Sequence, residues 1–211
     1  MRISDPRGTW VKVDGFTRPQ DVEEAVQAGV SAVGFIFALS PRQVSLGQAA
    51  KMRERVPEGV IAFGVFDGNR PAAIARTARH LELGGVQFPA PTQLSDDLPE
   101  ELLVLRTVRV RGAEDLSGLE ELGCDAVHLD AYVDGVLGGT GQTAPWDEIE
   151  SSPPARAWVL SGGLRPDNVA EAVSRLGPDG VDVSSGVERE PGLKDPEKVR
   201  AFVEAARTPR G

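Results

Sequence analysis

The sequence predicts an α/β fold, a single (β/α)8 (TIM) barrel, and three observations carry that expectation. Short apolar runs rich in β-branched residues recur eight times along the chain. Segments with helical spacing lie between them. Glycine-rich turns follow the last two runs rather than the first. Alternating strands and helices imply a parallel sheet with helical crossovers. Runs apolar on both faces fit a sheet covered on both sides, and eight such units can close into a barrel. An open doubly wound sheet is the runner-up. No GxGxxG turn follows the first run, which weighs against it.

In chain order, the strand candidates are 11–14, 32–37, 60–66, 85–88, 102–108, 125–130, 157–160 and 180–183. Helical spacing marks 19–28, 46–55, 71–80, 113–122, 166–175 and 195–206. Pro19, Pro166 and Pro196 stand where a first helical turn accepts proline. The 211 residues suit one domain over 1–211, with residues 1–10 as an extension before the first strand. Neither a linker nor a low-complexity tract interrupts the pattern.

Composition narrows the function classes. The formal net charge of −9 argues against nucleic acid and acidic membranes as partners. No apolar run approaches a membrane span, and the first ten residues lack a signal-like apolar stretch. A single cysteine, Cys124, excludes an intrachain disulfide and a cysteine-based metal site. A cytoplasmic protein without metal or organic cofactor, monomeric or homodimeric, is the expectation.

In such a barrel, chemistry sits at the C-terminal ends of the strands. Strand alternation puts Lys12 and Asp14 on one face of the first strand, pointing inward, with Asp14 at the active rim. On the sixth strand it puts His128 and Asp130 inward, Asp130 at the rim and His128 one layer deeper as a hydrogen-bonded core residue. On the eighth it does the same for Asp182 and Ser184. Closure of the barrel makes strands eight and one neighbours, so Lys12 and Asp182 are expected to form a buried ion pair. Two glycine-rich turns, Ser161-Gly162-Gly163 and Ser184-Ser185-Gly186, follow strands seven and eight, where barrels often hold a phosphate on backbone N–H groups. Arg42 follows strand two, and its fork suits a carboxylate. By alternation alone the direction of Arg106 stays ambiguous.

At these residues the chain resembles phosphoribosylanthranilate isomerases from about Val11 to Ala206. The carriers include Gly15-Phe16-Thr17-Arg18-Pro19 with Asp21, Ala32-Val33-Gly34-Phe35-Ile36-Phe37, and Ser40-Pro41-Arg42. Further on they include Gly138-Gly139-Thr140-Gly141, Leu160-Ser161-Gly162-Gly163-Leu164, and Val181-Asp182-Val183-Ser184-Ser185-Gly186-Val187-Glu188 with Pro191-Gly192. The resemblance implies an Amadori rearrangement of a small phosphorylated substrate, N-(5′-phosphoribosyl)anthranilate. A general acid opens the furanose ring to a Schiff base, and a general base removes the C2′ proton. It places Asp130 at the acid, Arg42 at the anthranilate carboxylate, and Gly162, Gly163, Ser184 and Ser185 in the phosphate loops.

The chain departs from that pattern at four places. The family's base is the cysteine of a K-x-C-G pattern, and here the pattern is Lys12-Val13-Asp14-Gly15. Val86-Gln87-Phe88 is followed by Pro89-Ala90 instead of His-Gly, and Gln142 replaces the usual loop lysine. The loop before Ser40 is one residue shorter. Cys124, expected at the far end of strand six, cannot substitute for the missing thiol. Asp14 is therefore the candidate base. Two other readings stay open at this point: an aminoaldose isomerase of the histidine pathway, which also uses two aspartates, and a non-catalytic phosphate-ligand binding or interaction protein on the same barrel.

Overall fold

The computed structural model describes residues 3–90, 92–93, 96–131 and 145–207. Eight parallel strands close a barrel in sequential order. They are β1 (Trp10–Asp14), β2 (Ala32–Ile36), β3 (Ile61–Val65), β4 (Gly85–Pro89), β5 (Leu103–Val110), β6 (Ala126–Ala131), β7 (Trp158–Leu160) and β8 (Gly180–Val183). The barrel closes between β1 and β8, where Lys12 is in register with Asp182. The helices are α1 (Pro19–Gln27), α2 (Leu46–Arg53), α3 (Pro71–His80), α4 (Trp146–Ser151), α5 (Val169–Leu176) and α6 (Pro196–Ala206).

Local chemistry explains the helix ends. Proline opens α1, α3 and α6. Ser45 and Gln48 form a reciprocal capping box at α2, and the Asp195 carboxylate accepts from the first N–H groups of α6. Gly177 ends α5 in the left-handed conformation.

Two expected helices differ. Residues 113–122 form two 3-10 turns, Ala113–Leu116 and Leu119–Glu121, because Gly118 turns the backbone to φ +67°. Leu116 and Leu119 are buried all the same, which anchors the segment without a full helix. The helix expected from Pro166 starts at Val169. Asn168 Oδ1 accepts from the Arg165 N–H at 2.7 Å and holds Pro166 in the preceding turn. An antiparallel hairpin absent from the expected elements, β9 (Glu188–Glu190) and β10 (Leu193–Lys194), follows β8. Its Pro191-Gly192 turn was the signal for it.

Period-two alternation builds the barrel interior in layers. Toward the N-terminal end, Trp10, Ala32, Phe63, Leu103, Leu105 and Val159 pack as an apolar plug, joined by Ile3 of the leading segment. Trp10 and Phe63 meet edge to face at 6.0 Å. That segment is tied down by Asp5, whose carboxylate accepts from Ser31 Oγ at 2.6 Å and Arg207 Nη2 at 2.9 Å. The alternate residues Val11, Val13, Val127, Leu129 and Val181 face the helices in the larger core. With the lower half of the barrel filled, the polar inward positions are confined to the C-terminal half.

Candidate active site

The first polar layer is a buried network. Lys12, fully buried, points its ammonium between Asp14 and Asp182, 2.9 Å from Asp182 Oδ2, and donates to Gln87 Oε1 at 2.8 Å. The expected Lys12–Asp182 pair is present, but Lys12 bridges two carboxylates rather than serving one. His128 Nε2 lies 2.8 Å from the same Asp182 oxygen, and His128 Nδ1 faces Thr107 Oγ1 at 3.3 Å.

Charge balance in this network sets the behaviour of Asp14. Burial and then the neighbouring Asp182 charge push its carboxyl up to about 6, against the pull of Lys12. Burial would raise Asp182 too, but the Lys12 charge and the His128 contact outweigh it and hold Asp182 well below the usual carboxylate range. Burial likewise opposes the Lys12 charge, and the two aspartates overcome it and push its ammonium up.

Two glycines make room for Asp14. A Cβ on Gly34 would sit 1.7 Å from Asp14 Oδ1, so the side chain lies across β2 where only glycine fits. Gly15 has φ +79°, and a Cβ there would also meet Arg42 Cδ at 2.5 Å.

Above this layer a cavity opens at the C-terminal rim. Asp14, Asp130, Arg42 and Ser184 all line it. A smaller cavity abuts it, lined by Gly162, Gly163 and Ser185, and shares Asp130, Asp182 and Ser184 with the first. The seven site residues proposed from sequence thus fall on two adjoining cavities at one rim. Gly162 and Gly163 have φ of +86° and +66°. A Cβ on Gly186 would lie 1.9 Å from the Leu164 carbonyl oxygen, so the loops after β7 and β8 touch backbone to backbone. Ser184 Oγ is buried and finds no hydrogen-bond partner among the described residues.

Arg42 has a setting the sequence did not reveal. Its Nε and Nη2 donate to the two oxygens of Glu188 at 2.8 and 2.7 Å. Lys194 Nζ shares Glu188 Oε1 at 2.8 Å and also donates to the Ser184 carbonyl at 3.0 Å. Burial works against the Glu188 charge, yet the hydrogen bonds from Arg42 and Lys194 hold its carboxyl below the usual range. Burial and the Arg42 charge push Lys194 down, with Glu188 opposing. The hairpin carrying Glu188 and Lys194 is fastened to α1 by Asp21, which accepts from the Lys194 N–H at 3.1 Å, and to the segment before α1 by Thr17 Oγ1, which donates to the Gly192 carbonyl at 2.6 Å.

Other positions resolve plainly. Arg109, in register with Asp130, lines the cavity mouth and pairs with Asp67 at 3.2 Å. Arg106 points away from the interior, with its guanidinium 5.1 Å from the Phe88 ring centre and donating to the Gly123 carbonyl. Cys124 precedes β6, is half-buried, and is absent from both cavities; burial pushes its thiol up. Residues 138–143, with Gln142, lie outside the described residues. Among the described residues no cluster of His, Cys, Asp and Glu is arranged to hold a metal ion, and no helix is long and apolar enough to cross a membrane.

Residues 11–205 match the sequence model of the family described as N-(5'phosphoribosyl)anthranilate (PRA) isomerase. The chain belongs to this family. Its activity is the isomerisation of N-(5'-phosphoribosyl)anthranilate. A relative of that name from Citrifermentans bemidjiense is 40% identical over 94% of this chain and 97% of its own length. The crystal structure of phosphoribosyl anthranilate isomerase from Thermotoga maritima superposes with a TM-score of 0.85 at 34% identity, covering 94% of this chain and 98% of that one. A further structure, of the isomerase in complex with reduced 1-(o-carboxyphenylamino)-1-deoxyribulose 5-phosphate, has a TM-score of 0.80 at 32% identity, with coverage of 94% and 98%.

Proposed function

We propose that this chain performs the Amadori rearrangement with Asp14 as general base, in the place of the family's cysteine, and Asp130 as general acid. The observation that supports this most is the pairing of the two carboxylates on one cavity, with Asp14 pushed up to about 6 by burial and Asp182. A base works best when its proton affinity lies near the operating pH, and an ordinary aspartate is too weak. Asp130 donates a proton to the furanose ring oxygen as the C1′–O bond breaks, leaving a Schiff base. Asp14 then takes the C2′ proton, and the electron pair moves to the Schiff-base nitrogen to give the enolamine. Tautomerisation to the ketone completes the reaction. Proton transfer of this kind requires neither a metal nor an organic cofactor.

The substrate's two anionic ends have separate sites in this reading. The phosphate takes hydrogen bonds from the backbone N–H groups around Gly162, Gly163 and Ser185 and from Ser184 Oγ. The anthranilate carboxylate meets Arg42, which Glu188 holds in place. The aromatic ring lies against Ile36, Val65, Phe66 and Pro89. We read 1–211 as one cytoplasmic domain, monomeric or homodimeric, whose partner is this phosphorylated small molecule and not nucleic acid or a membrane surface.

The deciding experiment follows the loss of phosphoribosylanthranilate fluorescence. Wild-type protein turns substrate over, and both Asp14→Asn and Asp130→Asn lose that turnover. Wild-type rates in Asp14→Asn would remove Asp14 as the base, and binding without turnover by the wild type would overturn the catalytic reading.

A further inference from the structure

His128 is a buried titratable side chain with no task in the mechanism above. It is 2% exposed, one layer below Asp130 on β6, between Thr107 of β5 and Val159 of β7 in register. Its Nε2 reaches Asp182 Oδ2 at 2.8 Å, and Lys12 Nζ reaches that same oxygen at 2.9 Å. Asp182 Oδ1 is buried and has no hydrogen-bond partner among the described residues. Both hydrogen-bond partners of Asp182 therefore act through one oxygen. Lys12 is itself divided between Asp182, Asp14 and Gln87.

We propose that His128 is a positioning residue for the isomerisation: by donating to Asp182 it supports part of that carboxylate's charge, which leaves Lys12 shared with Asp14 and fixes how strong a base Asp14 is. The inference rests on the reading of Asp14 as the base.

The direction of the effect follows from charge balance. Without His128, Lys12 is the one remaining donor to Asp182 and is drawn toward it. Asp14 then loses part of its counter-charge and holds a proton more tightly. Asp182 stays ionised because Lys12 still faces it. Thr107 contributes by presenting its hydroxyl to Nδ1, which leaves the Nε2 proton for Asp182. Other charged groups line the cavity: Asp130 on β6, Arg109 on β5, Asp67 after β3 and Arg42 after β2; Lys194 on β10, outside the lining, also interacts electrostatically with Asp14. Arg109 is paired with Asp67, and Arg42 and Lys194 with Glu188, apart from the hydrogen-bonded path that runs from His128 through Asp182 and Lys12 to Asp14.

The test is the pH profile of kcat/KM for wild type, His128→Leu and His128→Gln, with Asp14→Asn as control. In His128→Leu the acid limb moves up by about one pH unit, so that activity falls about fivefold at pH 6 and roughly tenfold below pH 5 while the plateau at higher pH is retained. His128→Gln keeps a donor and returns the limb to the wild-type position. A limb that stays in place in His128→Leu, with activity lowered equally at every pH, would overturn the proposal, and so would a His128→Gln profile like that of His128→Leu. If His128→Leu does not fold, imidazole 15N resonances of the wild-type protein decide: a proton on Nε2 from pH 6 to 8 is expected, and a bare Nε2 overturns the proposal. Wild-type rates in Asp14→Asn would bring down the base reading itself, whereas an inactive Asp14→Asn with an unmoved His128→Leu limb brings down this inference alone.

Discussion

Beneath the cavity, one lysine stands between two aspartates; at its rim, one glutamate stands between an arginine and a lysine. The two buried clusters are mirror images in charge. In each, the minority group is strengthened in its charged form: Lys12 is pushed up and Glu188 down. In each, one member of the majority is weakened in its charged form, burial being the largest cause: Asp14 is pushed up and Lys194 down. In the first, Asp182 has His128 as a second partner beside Lys12, whereas Asp14 shares Lys12 with it. In the second, Lys194 keeps its bond to Glu188 but shares that carboxylate with the Arg42 fork, and burial together with the Arg42 charge pushes its ammonium down. An excess of negative charge yields a carboxylate ready to accept a proton, and an excess of positive charge yields a rim suited to an anion. The count of charges in each buried cluster, more than any single contact, separates the two tasks.

Substitutions in the two clusters put that contrast to the test. The largest effect belongs to Asp14→Asn, which keeps the shape and removes the proton acceptor. Its kcat falls by about 10²- to 10⁴-fold, read by substrate fluorescence. Lys12→Met strands two carboxylates and costs about 3 to 5 kcal/mol of stability in urea melts. Asp182→Asn leaves Lys12 paired with Asp14 and costs less, and equal losses for the two variants would show that Lys12 does not bridge. Gly34→Ala places a methyl group on the Asp14 carboxylate and lowers kcat by about 10²-fold with the fold intact by circular dichroism.

Glu188→Gln has the smallest expected effect, about 1 to 3 kcal/mol in stability together with a raised KM. It also changes the acid limb of stability. Glu188 is held below its ordinary range, so its contribution is complete above the unfolded value near 4.3 and is lost as pH falls below it. The variant removes that loss, and its acid unfolding is shallower. Activity follows the opposite cluster: wild-type kcat/KM falls roughly tenfold per pH unit below about 6, where Asp14 takes its proton.

The barrel was legible because alternation is a strong signal. Lys12 and Asp14, His128 and Asp130, and Asp182 and Ser184 point inward as period two requires, and these positions placed both carboxylates at one rim. The glycine turns after β7 and β8 were legible for the same reason, since their place in the order of strands is fixed. What stayed hidden depends on contacts between segments distant in sequence. Glu188 meets Arg42 across 146 residues, and Lys12 meets Gln87 across 75. No local pattern announces such pairs. The helix at 113–122 failed for a local reason, because its leucines had helical spacing but Gly118 had a positive φ to adopt.

Gly34 carries a lesson for anyone who would exchange one type of base for another in this barrel. The carboxylate at position 14 fills the space over a residue with no side chain, and the contact is tight enough that even a methyl group is excluded. A thiol is shorter than a carboxylate, so Asp14→Cys would open a gap above β2 before it altered any proton affinity. Positions 14 and 34 form one steric unit, and redesign of the base has to treat their volumes together.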